Sequence, residues 1–252
     1  LTPDEWCRLP LAQTSFLRGL DGAVALCRFG PLARFKPSPP LWRLMALVFG
    51  VLANLRILVR SGNQIGKTRH CAAFLVFCAL AYPGLYRAVG VTEEQVNTVI
   101  AKHLHRFIPA HLIDPSCFYT EKNGWSGDRI ILNIAPGVQS VIELKNYRQH
   151  PQVHAGGTLR GIWLDEPPPF PIFDESLGRL TEHEGWLLVS ATPLDQPVGY
   201  LRDLVDAPES EWQEIVVRYE HASVPWRKPE QVAQRIRECA LTPATFGQRI
   251  HG

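Results

Sequence analysis

The stretch RSGNQIGKTRH, residues 60–70, follows the short β-branched run RILV and precedes a long apolar segment. A phosphate-binding loop needs backbone N–H groups turned toward an anion, a helix N-terminus behind them, a lysine and a hydroxyl. The stretch supplies these in order, with Lys67 and Thr68 at its end. It therefore predicts a strand, a loop and a helix that form a nucleotide phosphate site of the Walker A type. The alternative is an ordinary helix N-terminus that binds no phosphate.

Ser61 departs from this motif, because it stands where the G-x-x-x-x-G-K-[ST] pattern has its first glycine. The loop keeps Gly62 and Gly66 for tight backbone conformations, and we expect Ser61 to leave the strand without a positive φ. The predicted nucleotide-binding residues are Ser61, Gly62, Asn63, Gln64, Ile65, Gly66, Lys67 and Thr68.

Strand and helix patterns alternate from residue 56 to residue 193. This order predicts an α/β fold, a mostly parallel sheet flanked by helices. We expect an N-terminal helical extension over residues 1–35, a core over 36–200 and a small C-terminal lid subdomain over 201–252, where the sequence changes character.

Composition narrows the class of protein. Apolar residues make up 46% and charged residues 20%, which is typical of folded rather than disordered chains. The net charge of +2 permits contact with nucleic acid but favours it only weakly. The sequence contains no uninterrupted apolar run of about 18 residues, so no membrane span is predicted.

Two acidic residues follow a second buried strand in RGIWLDE, which has the form of a Walker B motif. Asp165 is placed to hold Mg²⁺ together with Thr68, and Glu166 to orient or deprotonate an attacking water. Alternatively, the two acids begin a surface turn before PPPFP. The motif Ser190-Ala191-Thr192 ends the next buried strand, and the order of the three motifs favours catalysis.

Hydrolysis of a nucleoside triphosphate also needs a cation at the γ-phosphate. Four arginines are candidates for this role: Arg60, Arg69, Arg148 and Arg160. Arg148 lies in the loop-like segment YRQHPQVHAGG, from which it can reach a neighbouring subunit. We therefore predict Arg148 as an arginine finger supplied in trans.

Five segments together resemble the ATPase domain of bacteriophage large terminases, the motors that pump DNA into preformed capsids. They are GNQIGKT, the TEEQ helix start, G-T-x-x-x-I-W-L-D-E-x-P-P, SATP and FGQRIHG, and the resemblance covers roughly residues 35–252. It implies a RecA-like P-loop core of the ASCE class with a lid subdomain.

By this resemblance, the cofactors are ATP and Mg²⁺. Lys67 and Thr68 hold phosphate and Mg²⁺, Asp165 completes the metal site and Glu166 is the catalytic base. The motif Ser190-Ala191-Thr192 couples hydrolysis to movement. Large terminases usually continue into a nuclease domain, which we do not expect within these 252 residues.

The resemblance also implies partners and a location. The expected partners are double-stranded DNA, a portal protein, a small terminase subunit and further copies of this chain in a ring. The expected location is the cytoplasm of the infected bacterial host, and not the mature virion.

Two other interpretations stay open at the level of sequence. A superfamily-2 helicase fragment shares the Asp-Glu and Ser-Ala-Thr motifs, but it needs a second RecA-like domain with an arginine-rich motif. A P-loop module that binds nucleotide as an assembly switch does not need a water-activating residue, so Glu166 argues against it.

Overall fold

The computed structural model describes residues 32, 41–47, 52–62, 64–192, 199–220 and 227–241. The predicted N-terminal extension therefore lies outside the described residues except for Leu32. The same applies to Asn63 of the loop and to residues 242–252.

Nine strands occur in the part of the chain that the structure describes, and seven of them form one sheet. In chain order the strands are β1 Arg56–Ser61, β2 Leu85–Gly90, β3 Tyr119–Thr120, β4 Gly124–Trp125, β5 Arg129–Ala135, β6 Val138–Asn146, β7 Gly161–Asp165, β8 Trp186–Ala191 and β9 Trp212–Val217. The large sheet has the order β5-β6-β2-β7-β8-β1-β9, and β3 pairs with β4 separately.

Helices connect most of these strands. They are α1 Trp42–Leu47, α2 Lys67–Ala81, α3, α4 Pro151–His154, α5 Phe170–Leu180, α6 Gly199–Asp206 and α7 Pro229–Ala240. Helix α3 begins with Glu93–Gln95, continues through a π-helical turn at Val96–Ile100 and ends with Ala101–Phe107. None of the described helices combines the length and the apolar character that crossing a membrane requires.

All the neighbouring strands in the large sheet run parallel except the β5–β6 hairpin. Every residue of β7 and β8 is buried, because helices cover both faces of the sheet. Phe74 of α2 packs in the apolar cluster that includes α3, and Phe173 of α5 packs in a second cluster. The predicted α/β fold is therefore confirmed.

Strand β8 lies between β1 and β7 and brings the three motifs to one edge of the sheet. In the parallel register Ser190 is opposite Val59 of β1 and Asp165 of β7. The carboxyl ends of these strands therefore lie side by side. We call this side of the sheet its carboxyl edge, and it is where open α/β sheets bind ligands.

Strand β9 corrects the predicted division of the chain at residue 200. It pairs along the whole of β1, with Val217 opposite Ser61, and so extends the core sheet beyond that boundary. In WQEIVV the buried residues Ile215 and Val217 are two apart, because an edge strand presents alternate residues to the core. Among the described residues assigned to the lid, only α6, α7 and their connections lie outside the sheet.

Candidate active site

The loop after β1 explains the serine at the first glycine position. Ser61 is the last residue of β1 and is completely buried, and its Oγ donates to the Gly62 carbonyl oxygen at 3.2 Å. Among the described loop residues, positive φ angles occur at Gln64 (61°) and Gly66 (83°). Position 61 therefore needs no left-handed conformation, so a side chain is tolerated there.

Helix α2 begins directly behind the loop. Its N-cap, Gly66, has a left-handed conformation and makes no side-chain cap. The first N–H groups of a helix have no acceptor within the helix and attract anions. Burial lowers the pKa of His70 to about 4. The ring is therefore neutral at pH 7, and its Nδ1 lies 2.7 Å from the Gly66 carbonyl oxygen.

Lys67 connects the loop to the two other motifs. Its Nζ donates to Glu166 Oε1 at 2.8 Å and to Thr192 Oγ1 at 2.6 Å. The lysine side chain is only 7% exposed. A charge-assisted bond of this kind fixes the position of both partners more strongly than a neutral one.

Asp165 lies at the end of β7 and is completely buried. Burial raises its pKa to about 6, while the nearby Lys67 charge acts in the opposite direction. Thr68 Oγ1 lies 3.4 Å from each of its carboxylate oxygens. Carboxylate and hydroxyl oxygens are the donors that Mg²⁺ prefers, and the positive charge of the ion would stabilise the buried carboxylate. The residues at this point therefore fit a divalent cation.

The described residues include no cluster of three or more His, Cys, Asp or Glu side chains arranged to hold a metal. A site with one carboxylate and one hydroxyl is typical of Mg²⁺ that shares its remaining ligands with substrate phosphates and water. One carboxylate and one hydroxyl are the oxygen ligands that Asp165 and Thr68 themselves offer at this point.

Glu166 has an unusual backbone conformation, with φ at 69°. Left-handed angles are strained for residues other than glycine, so surrounding contacts must hold them. The Glu166 N–H donates to the Ser190 carbonyl oxygen, and Tyr147 Oη donates to the Glu166 carbonyl oxygen at 2.8 Å. The carboxylate turns toward the end of β8, where Oε2 accepts from Thr192 N at 2.8 Å.

The Ser190-Ala191-Thr192 motif completes one hydrogen-bond network. Ser190 Oγ accepts from Trp163 Nε1 at 2.9 Å and donates to Asp165 Oδ1 at 2.7 Å. Ala191 is the buried last residue of β8, and Thr192 contacts both Lys67 and Glu166. The structure thus brings together the three predicted motifs, except for Asn63, which lies outside the described residues.

An open cavity of about 400 Å³ borders this network. This volume lies within the range of small-molecule sites. Most of its lining comes from the three motifs: Gly62, Gln64, Ile65, Gly66, Lys67, Thr68, Glu166 and Thr192. The remaining lining residues are Arg69 of α2 and Val99 and His103 of α3.

The candidate arginines are divided between the carboxyl ends and the amino ends of the parallel strands. Arg160 immediately precedes β7, so it lies at the opposite edge, roughly 16 Å along the strand from Asp165. This position corrects the inclusion of Arg160 as a candidate for the chain's own site. Arg60 pairs with Glu214 at 2.9 Å, and Arg69 lines the cavity. Arg148 is exposed just beyond β6, at the same edge as the site.

Sequence reasoning missed three residues that support the site. Gln95 belongs to the TEEQ helix start, yet its Nε2 donates to Asp165 Oδ2 at 3.1 Å. Tyr147 and Trp163 hold the backbone of Glu166 and the hydroxyl of Ser190. The available signal was the TEEQ helix start, which places Gln95 in the first helical turn after β2.

Sequence comparison gives a short local match. No family model matches the chain. A segment of 63 residues is 33% identical to the large terminase subunit of Salmonella phage P22. This segment spans 24% of the present chain and 13% of the phage protein.

Solved structures match over most of the chain. The ATPase domain of the large terminase of Thermus phage P74-26 is 19% identical, with a TM-score of 0.61 over 86% of this chain and 98% of that domain. A large terminase from a thermophilic bacteriophage, solved in complex with ADP, is 13% identical, with a TM-score of 0.62 over 80% of this chain. The match covers 50% of that second protein, so the present chain spans about half of its length.

These matches agree with the architecture described above. The sheet with its flanking helices is that of RecA-like terminase ATPase domains. The resemblance predicted from the sequence motifs is confirmed in the fold: the chain is similar to bacteriophage large terminases and has the fold of their ATPase domains.

Proposed function

We propose that this chain is the ATP-hydrolysing motor domain of a viral DNA-packaging terminase. The observation that carries the proposal is the network in which Lys67 bonds to both Glu166 and Thr192 at the carboxyl edge of the sheet. The similar terminase from the thermophilic bacteriophage was solved with ADP and with ATP-gamma-S, which supports a nucleotide as the ligand of the equivalent fold.

The loop and α2 would bind the phosphate groups. The N–H groups at the start of α2 and the Lys67 ammonium provide positive charge next to the cavity. Thr68 and Asp165 would hold Mg²⁺ with the substrate phosphates. When bound, the ion would neutralise charge on the β- and γ-phosphate oxygens.

Glu166 is the residue we propose to act on the attacking water. Its side chain is 28% exposed and lines the cavity, whereas the Asp165 side chain is buried beside Thr68. Phosphate oxygens offer Lys67 a competing acceptor for its proton donors. A bound triphosphate would therefore free a Glu166 carboxylate oxygen to accept a proton from water.

The Ser190-Ala191-Thr192 motif is suited to couple the site to the rest of the chain. Thr192 contacts the lysine of the loop and the carboxylate of Glu166, so a change at either group acts on the end of β8. The chain beyond β8 leads to α6 and then to β9, which pairs with β1. Movement of this segment is the proposed output of hydrolysis.

The partners belong to the same proposal. Double-stranded DNA would be the translocated substrate, and a portal protein and a small terminase subunit would complete the packaging machine in the infected host's cytoplasm. A ring of this chain would place Arg148 of one copy near the cavity of the next. Arg148 is exposed at the carboxyl edge of the sheet, which supports this role.

Phosphate release and ATP binding test the enzymatic part directly. We expect Mg²⁺-dependent hydrolysis by the unmodified chain, because the loop, the metal residues and Glu166 converge. Lys67→Ala is expected to lose at least tenfold in ATP affinity and nearly all turnover, since the buried ammonium contacts two motifs. Lys122→Ala, at an exposed lysine between β3 and β4, is the control and should behave like the unmodified chain. Undiminished turnover in Lys67→Ala would contradict the proposal.

A further inference from the structure

Gln95 makes a set of bonds that its place in a helix cap does not require. It lies in the first turn of α3, just after β2. Its backbone N–H donates to Thr92 Oγ1 at 3.1 Å, as a cap predicts. Its side-chain amide, however, reaches beyond the helix to the carboxylate of Asp165, 70 residues away in the chain.

The orientation of this amide is fixed by the backbone. Gln95 Oε1 accepts from the Val91 N–H at 2.7 Å. An N–H group is a donor only, so the oxygen of the amide must face Val91. The NH₂ group therefore faces Asp165 Oδ2, and Gln95 donates to that carboxylate in a defined direction.

Asp165 is held in this way from both sides. Strand β7 lies between β2 and β8. One donor comes from β8 and the other from helix α3, which follows β2. Ser190 Oγ donates to Oδ1 at 2.7 Å, and Gln95 Nε2 donates to Oδ2 at 3.1 Å. Thr68 Oγ1 lies at the same distance from both oxygens. The two donors thus set the plane of the carboxylate relative to Thr68.

The turn that carries Gln95 is closely packed against β2. A Cβ at Gly90 would lie 2.9 Å from Val96 Cγ2 and 3.0 Å from Ile100 Cδ1, which is closer than side-chain carbons pack. The glycine lets α3 approach the end of β2. This packing keeps the Gln95 side chain within reach of Asp165.

We propose that Gln95 is a positioning residue that orients Asp165 toward a divalent cation bound with the nucleotide. The inference rests on the proposed function, because it assigns Asp165 and Thr68 to the cation. Residues that orient a ligand of this kind affect metal affinity by about 10- to 100-fold when they are removed. Gln95 is not expected to contribute to nucleotide binding in the absence of a divalent cation.

The test measures cation binding rather than turnover. Mn²⁺ is titrated into the protein in the presence of ADP and followed by electron paramagnetic resonance, and fluorescent ADP is titrated with and without Mg²⁺. Gln95→Met keeps the length of the side chain and removes the donor. We expect it to weaken Mn²⁺ binding by roughly tenfold or more, with ADP affinity in EDTA unchanged within about twofold.

Thr92→Val is the matched structural control. It removes the other cap of the same turn without touching Asp165, so it should lower the thermal midpoint as Gln95→Met does but leave Mn²⁺ affinity unchanged. Normal Mn²⁺ affinity in Gln95→Met would overturn the inference, as would equal weakening in Thr92→Val. Failure of the unmodified chain to bind ADP would instead contradict the proposed function itself.

Discussion

Asp165 and Glu166 are neighbours in the chain with different surroundings. Successive side chains of a strand point to opposite faces of the sheet. The left-handed φ of Glu166 ends that alternation and turns its carboxylate toward Lys67. One acid is therefore buried beside Thr68, and the other reaches the cavity. The two positions suit a cation ligand and a water-activating residue.

Ser61 provides the first prediction at the scale of single residues. Ser61→Gly would restore the standard motif, but Ser61 lies inside β1 without a positive φ. We expect the variant to lose about 0.5–1 kcal/mol of unfolding free energy, because glycine is more flexible in the unfolded chain. ATP affinity should stay within about twofold. Urea unfolding and ATP titration test both values, and tighter ATP binding by the variant would contradict this account of the loop.

At the scale of elements, sequence patterns predicted the features that lie within one short segment of the chain. The loop motif, the helix start at TEEQ and the mostly apolar runs of β7 and β8 are each contained in a short segment, and each forms as expected. The β5–β6 hairpin turns at Pro136-Gly137, where the glycine has a φ of 73°, and is local in the same sense.

Other features depend on pairing between segments that are distant in the chain, and no short sequence pattern predicts them. Strand β9 was not recognised because an edge strand has few buried residues, and its partner β1 is more than 150 residues earlier. The bond from Gln95 to Asp165 depends on the order of the strands in the sheet. The position of Arg160 likewise depends on which end of β7 bears the site.

Close packing between β7 and β8 gives a prediction at this scale. A Cβ at Gly161 would lie 2.1 Å from the Trp186 ring. Gly161→Ala should therefore force the ring to move and cost about 1–3 kcal/mol of unfolding free energy. Gly178→Ala is the control, since nothing lies within 4 Å of its Cβ position in helix α5. Alanine favours a helix, so this control should be neutral or stabilising in chemical denaturation. An equally stable Gly161→Ala protein would show that the ring is not closely packed.

At the scale of the whole molecule, the sheet presents the site and the Arg148 loop at the same edge. A buried ion pair with Glu143 of β6 holds the Arg87 side chain of β2 in place. The Arg87 guanidinium also donates to the carbonyl oxygens of His154 and Gly156, at 2.8 Å and 3.0 Å. These bonds give the exposed loop a fixed base, which the proposed role of Arg148 in a neighbouring subunit requires.

The ring proposal predicts that turnover depends on protein concentration. If Arg148 acts in trans, turnover per subunit should rise as copies associate. Arg148→Ala should then lower the plateau rate by about 10³-fold or more while leaving ATP affinity nearly unchanged. Arg202→Ala, at an exposed arginine of α6, is the control. Turnover that is independent of concentration and unaffected by Arg148→Ala would exclude this residue as the finger.

The most direct test of the central claim is the fate of a single bound ATP in Glu166→Gln. Radiolabelled ATP is mixed with excess protein and Mg²⁺, and bound ATP and released phosphate are counted over time. We predict that the variant binds ATP as tightly as the unmodified chain, because Lys67 and the loop are intact, but cleaves it at least ~100-fold more slowly, since it lacks the general base. Cleavage at the unmodified rate would contradict the catalytic role of Glu166 and with it the proposed mechanism of the motor.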